Sequence, residues 1–216
     1  MDFHEYRDEI NLIQAQNDTE FELYPLVAEL IAPTLRGLSK RYVFARRISE
    51  LGQIYFGISG FPDIAILDKD FNNQINKDIT PENWHKLKGC VEVKAYGNKL
   101  YTLKQLKEEF DGGNPNTEAF QLIGEVLWYK KLLYTNGAEW KLFKFEDYKV
   151  REEFIIKIVK KRIANGKNKK YDWYRSDEIL KMIRNNIKEI KEITITDDCQ
   201  KNWNEFIEKI GALEWQ

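Results

Sequence analysis

The chain has 216 residues and a formal net charge of −1, from 34 Lys and Arg against 35 Asp and Glu, enough for one domain with a decoration but not for two full domains. Hydrophobic residues make up 43% and charged residues 32%, ordinary proportions for a soluble protein, and no apolar run approaches the roughly 18 residues of a membrane span. Two cysteines, Cys90 and Cys199, exclude a disulfide framework or a cysteine-rich zinc site. The two histidines, His4 and His85, leave histidine-pair mechanisms hard to build, so any chemistry must rest on carboxylates and lysine.

Met1 to Glu9 is charged and lacks the apolar stretch of a secretory signal, so a cytoplasmic location and no membrane partner are expected. From Thr19 to Leu35, the residues Leu23, Leu26, Val27, Leu30 and Ile31 recur at helical spacing, with Asp18 or Thr19 as cap. Tyr42–Phe44 and Ile54–Phe56 are β-branched or aromatic runs beside Gly52, Gly57 and Gly60, and predict at least one strand. Ile64–Leu67 and Cys90–Val93 read as two strands of a buried sheet. Between them, Asp68 to Lys88 is polar and predicts a long surface excursion, with a helical turn after Thr80. The cluster Asp111-Gly112-Gly113-Asn114-Pro115 breaks the chain, and Asn116 to Tyr134 resumes helical periodicity. After the Asn136-Gly137 turn, Trp140–Phe145 alternates as a strand. From Glu146 onward, three apolar-patterned segments predict helices.

The expected class is therefore α/β, a mixed sheet flanked by helices in residues 1–147, followed by a helical appendix in 148–216. Basic residues are unevenly spread. Arg36, Lys40, Arg41, Arg46 and Arg47 form one run. Lys157, Lys160, Lys161, Arg162, Lys167, Lys169, Lys170 and Arg175 form another, interleaved with Tyr171, Trp173 and Tyr174 and opposed by Asp172. Each fits a phosphate backbone or a plain solvated face.

One constellation carries chemistry. Residues two apart in a strand share a face, so Glu92 and Lys94 project together. Asp63, opening the adjacent apolar strand after Phe61-Pro62, can meet Glu92 across the sheet. Two carboxylates so placed suit a hard divalent cation such as Mg2+, and a lysine beside them can stabilise charge on a phosphoryl group or orient an attacking water. An isolated Glu-x-Lys is also an ordinary surface pair; the apolar strands around these residues favour the chemical reading.

The string Pro62-Asp63-Ile64-Ala65-Ile66-Leu67, then Val91-Glu92-Val93-Lys94, then Gln121, then Tyr134-Thr135-Asn136-Gly137-Ala138-Glu139-Trp140 resembles the PD-(D/E)XK nuclease superfamily. The nearest look is the N-terminal nuclease domain of Type I restriction subunits and their standalone relatives, over roughly residues 18–145. The resemblance implies a restriction-endonuclease-like αβββαβ core that hydrolyses DNA with Mg2+, Mn2+ substituting, in restriction or defence. It makes Asp63 and Glu92 metal ligands and Lys94 the catalytic lysine. Relatives often add a glutamate from the first helix; helical geometry favours Glu20 over Glu22 as the one facing the sheet. Gln121 matches the glutamine of a Gln-x-x-x-Tyr element, yet Glu125 stands where the tyrosine would be, and the Asp63 to Glu92 separation exceeds the usual one. No glycine-rich phosphate loop ending in Gly-Lys-Ser or Gly-Lys-Thr is present, so a motor is not expected. The chain would act alone, as a homodimer or with a partner chain. A non-catalytic module of the same fold, binding nucleic acid or protein, and a nuclease of RNA or branched structures remain the alternatives.

Overall fold

A computed structural model describes residues 1–43, 53–72, 80–164 and 175–215. Phe44, Arg46, Arg47 and Gly52 of the first region, and the basic and aromatic residues from Lys167 to Tyr174, lie outside the described residues, as does the side chain of Arg162. The described elements form a mixed α/β structure around a six-stranded sheet, in the order α1 (Phe3–Gln16), α2 (Glu20–Ile31), β1 (Ser39–Tyr42), α3 (Gln53–Phe56), β2 (Ile64–Leu67), α4 (Pro81–Trp84), β3 (Leu87–Val93), α5 (Leu103–Asp111), α6 (Thr117–Tyr129), β4 (Lys131–Thr135), β5 (Trp140–Phe145), α7 (Tyr148–Ala164), α8 (Asp177–Asn186), β6 (Ile190–Thr196) and α9 (Trp203–Gly211). Strands lie in chain order β1 to β6. All neighbours are antiparallel except β3 and β4, whose connection through α5 and α6 supplies the crossover that parallel pairing requires.

Strands β2 to β5 are buried on both faces, and their alternation sorts side chains into two cores. Ala65, Leu67, Cys90, Leu132 and Tyr134 pack with α5, α6, α7 and α8. Ile64, Ile66, Val91, Val93 and Leu133 pack with α1, α2 and α9. Residues beyond 147 enter both cores, Phe154, Ile155 and Ile179 on one side and Cys199, Phe206 and Ile210 on the other.

Four sequence readings need correction or sharpening. Of the two runs read as holding at least one strand, Tyr42 closes β1, whereas Ile54–Phe56 is a helical turn: its buried residues face a turn region pressed against α6, where Trp128 Nε1 donates to the Ile54 carbonyl at 2.8 Å. The helical stretch read to Tyr134 ends at Tyr129, where Lys130 at φ 73° turns the chain into β4; Lys-Leu-Leu-Tyr-Thr is too short and apolar for periodicity to separate strand from helix. The C-terminal part is not wholly helical, because Ile190–Thr196 adds β6 to the sheet beside β5. The excursion between β2 and β3 is not all surface either, since Trp84 is buried beneath Arg151, whose guanidinium lies 4.8 Å from the ring centroid. Helices α1 and α5 lay outside the periodicities read from sequence. Trp140, expected as core, is fully buried, and both cysteines are free and buried. No helix among the described residues is long and apolar enough to cross a membrane.

Candidate active site

The Ile64–Val91 antiparallel register, carried one residue further, sets Asp63 directly opposite Glu92. Backbone bonding agrees: Asp63 N donates to the Val91 carbonyl at 3.1 Å, and Val93 N donates to Asp63 Oδ2 at 2.8 Å. Both carboxylates then share the face of Ala65 and Cys90, the face covered by α6. The parallel register continues the row to Tyr134, opposite Glu92 on β4. Lys94 follows β3, its backbone N bonded to the Thr135 carbonyl at 2.8 Å.

What holds Asp63 there is a set of close approaches. Gly57 takes φ +54°, and a Cβ on it would meet the Trp128 indole at 2.4 Å; this lets the turn before β2 lie against α6. From the helix side, a Cβ on Gly124 would meet Ser59 Oγ at 2.0 Å. Ser59 Oγ donates to the Gln121 carbonyl at 2.9 Å, and Gln121 Nε2 donates to the Phe61 carbonyl at 3.3 Å and to Glu125 Oε1 at 2.9 Å. Gln121 thus fastens the Phe61-Pro62-Asp63 approach to α6.

Asp63 is 2% and Glu92 4% exposed. Burial raises the Asp63 carboxyl to about 6, against the lowering pull of its bonds from Tyr24 and Val93. Glu92 is pushed well above the carboxylate range by burial first, then by the charges of Glu125 and Asp63. For Lys94, burial disfavours the ammonium, but Glu92, Glu118 and Glu20 together outweigh it and hold the group above its ordinary range. Lys94 Nζ lies 2.9 Å from Glu92 Oε1 and 3.8 Å from Glu118 Oε1. Glu92 Oε2, by contrast, is buried with no hydrogen-bond partner among the described residues, which is costly unless something else occupies that direction.

The structure brings Asp63, Glu92 and Lys94 together and places Glu20 near enough for its charge to act on Asp63, Tyr24 and Lys94. Glu22 is exposed and accepts from Asn17 Nδ2 at 3.3 Å. Four side chains at the site went unassigned in the sequence. Tyr24 donates its hydroxyl to Asp63 Oδ1; it stands four residues after Glu20, on the same helix face. Glu118, in the first turn of α6, faces Lys94, and Tyr134 donates to Glu118 Oε1 at 2.7 Å. Glu125 is buried at 1% exposure and one turn beyond Gln121, a spacing that could have flagged it.

Among the described residues no group of three or more His, Cys, Asp or Glu is arranged to hold a metal ion. Magnesium, however, is commonly held by one or two carboxylates and completed by water and substrate phosphate. The oxygens of Asp63 and Glu92 are of the kind that cation takes: Glu92 Oε2 is open among the described residues, and the Asp63 oxygens accept from Tyr24 and Val93 N. No protein-family model, curated protein or solved structure matches this chain.

Proposed function

We propose that the protein is a Mg2+-dependent nuclease of the PD-(D/E)XK type that hydrolyses DNA phosphodiester bonds in restriction or defence. The observation that carries this reading is the pairing of Asp63 with Glu92 across β2 and β3, Lys94 beside them, and a buried Glu92 oxygen without a partner among the described residues. The order α2, antiparallel β1-β2-β3, helical crossover and β4 parallel to β3 supports the αβββαβ core of such enzymes. The carboxylates, buried against one lysine, are a poor surface for phosphate on their own, and a divalent cation makes them an attractive one.

Asp63 and Glu92, with Glu20 alongside, would hold the cation, which when bound supplies Lewis-acid polarisation of the phosphate and lowers the pKa of an attacking water. Lys94, kept charged by its carboxylate neighbours, stabilises the negative charge that grows on the phosphoryl oxygens. Tyr24 and the Val93 amide fix the rotamer of Asp63. Gln121 holds the turn that delivers Asp63, and its half-buried amide also lies at the edge of the site. The N-terminus of α6 points its positive end toward the same region.

Supercoiled plasmid and linear DNA, incubated with purified protein and Mg2+ or Mn2+, provide the test. The expected result is metal-dependent nicking or cutting, abolished by EDTA and by Asp63→Ala, and reduced by about 10^2 to 10^3 in Lys94→Ala, as for loss of one electrostatic stabiliser. Binding of DNA without cleavage by wild type would point instead to a non-catalytic module, and cleavage of RNA or branched substrates alone would move the substrate class.

A further inference from the structure

Lys94 sits between two carboxylates. Its Nζ is 2.9 Å from Glu92 Oε1 and 3.8 Å from Glu118 Oε1. The two are supported differently. Glu92 belongs to β3 and is the residue the cation reading needs. Glu118 belongs to the first turn of α6 and is partly exposed, and its Oε1 accepts the Tyr134 hydroxyl at 2.7 Å. Tyr134 is wholly buried in β4, directly opposite Glu92, so the Glu118 carboxylate is tied to a rigid strand rather than free to follow solvent.

A divalent cation and an ammonium compete for Glu92, because two positive charges cannot share one carboxylate without repulsion. On the reading proposed above, a cation at Glu92 Oε2 puts a second positive charge on the carboxylate that holds Lys94 at Oε1, and so weakens the Lys94–Glu92 contact. An ammonium displaced within a largely buried site costs least if a second carboxylate is already within reach. Glu20 also exerts its charge on Lys94, but Glu118 is the one within ion-pair distance and anchored by a second contact.

We propose that Glu118, fixed by the Tyr134 hydroxyl, is the second station of Lys94: it receives the ammonium when a divalent cation takes Glu92, and so both eases cation entry and positions Lys94 beside the phosphate. Glu118 touches neither the reacting atoms nor the cation in this account, and is a positioning residue that acts through Lys94.

Mn2+ affinity, measured by titration calorimetry on the full chain in wild-type and Lys94→Ala backgrounds, tests it without needing turnover. Glu118→Gln, nearly isosteric and partly exposed, weakens Mn2+ binding about five-fold in the wild-type background, the upper end for a partly exposed ion pair. It changes affinity by at most about two-fold in the Lys94→Ala background, where no ammonium needs a new partner. Tyr134→Phe shows the same background dependence with a smaller effect, and Glu118→Asp restores part of the loss. Equal weakening in both backgrounds makes Glu118 a ligand or a general support and overturns the proposal, as does an unchanged affinity in the wild-type background. Absence of Mn2+ binding by wild type removes the cation reading itself, a failure distinct from the other two, and the proposal with it.

Discussion

The two ends of the sheet bury charge in different ways. At the end where β4 begins, the buried charges are cations, and carbonyls hold them. Arg151, 2% exposed, donates Nε to the Leu127 carbonyl at 2.9 Å and Nη2 to the Trp128 carbonyl, which closes the C-terminus of α6 where the helix leaves carbonyls unpaired. Lys131 donates to the Glu214 carbonyl. At the other end, where β3 finishes, carboxylates are buried as well, beside the buried cation of Lys141 in the Glu92–Tyr134 row. Asp63 and Glu125 act on Glu92, Lys94 pairs with Glu92 Oε1, and Glu92 Oε2 has no partner among the described residues. The first arrangement gives the buried cations carbonyl acceptors, although burial still pulls Arg151 down to about 9 and Lys131 to about 8. The second is an arrangement folding alone would not favour, because buried carboxylates that repel one another raise the energy of the native state. Buried acids that disfavour one another, with a carboxylate oxygen unsatisfied among the described residues, make this end the candidate working site.

Breaking the satisfied end has the largest consequence for stability. Arg151→Met leaves the terminal carbonyls of α6 without donors and removes the cation above Trp84; a loss of about 3 kcal/mol is expected in urea unfolding. Cleavage per folded molecule should stay near wild type. A loss of activity larger than the loss of folded protein would mean that the two ends are coupled.

Next in size is the pH dependence written into the strained end. An acid whose folded-state pKa is raised binds protons more tightly when folded, so it favours the native state at low pH, and this contribution is lost as pH climbs from the unfolded to the folded value. For Asp63 that window runs from about 4 to about 6. Wild type should therefore lose on the order of 1–2 kcal/mol of stability across the window through this group, and Asp63→Asn should flatten that slope. Identical pH profiles for the two proteins, measured by chemical unfolding without added metal, would contradict the burial argument for Asp63.

The site was legible in sequence to the extent that strand geometry is. Glu92 and Lys94 are two residues apart on a β-branched run, so their common face follows from the pleat. Asp63 opens a four-residue apolar strand whose pairing then fixes its height. What the sequence concealed lies on other elements. Tyr24 and Glu118 reach the site from helices, and nothing in local spacing tells that the Glu118 carboxylate meets Lys94 while the neighbouring Thr117 does not. Glu125 read as a departure from the resemblance, although a glutamate in the middle of an apolar helical face, among Leu122, Ile123 and Val126, is itself a signal of a buried acid. The fold was legible in its core strands and less so toward the C-terminus. Ile190–Thr196 alternates too weakly between buried and exposed positions to announce β6, and its place in the sheet is set by pairing with β5.

The smallest expected effect bears most directly on the account, because it asks whether the orphaned Glu92 oxygen is a cost carried for a cation. Glu92→Gln is compared with wild type in thermal unfolding at neutral pH, with and without millimolar Mg2+. Without metal, the neutral amide is expected to stabilise the chain by about 1 kcal/mol, since it replaces an acid whose charged form burial, Glu125 and Asp63 all disfavour, and Mg2+ is expected to raise the melting temperature of wild type but not of the variant. A variant less stable than wild type without metal, or one that Mg2+ stabilises equally, would contradict the account.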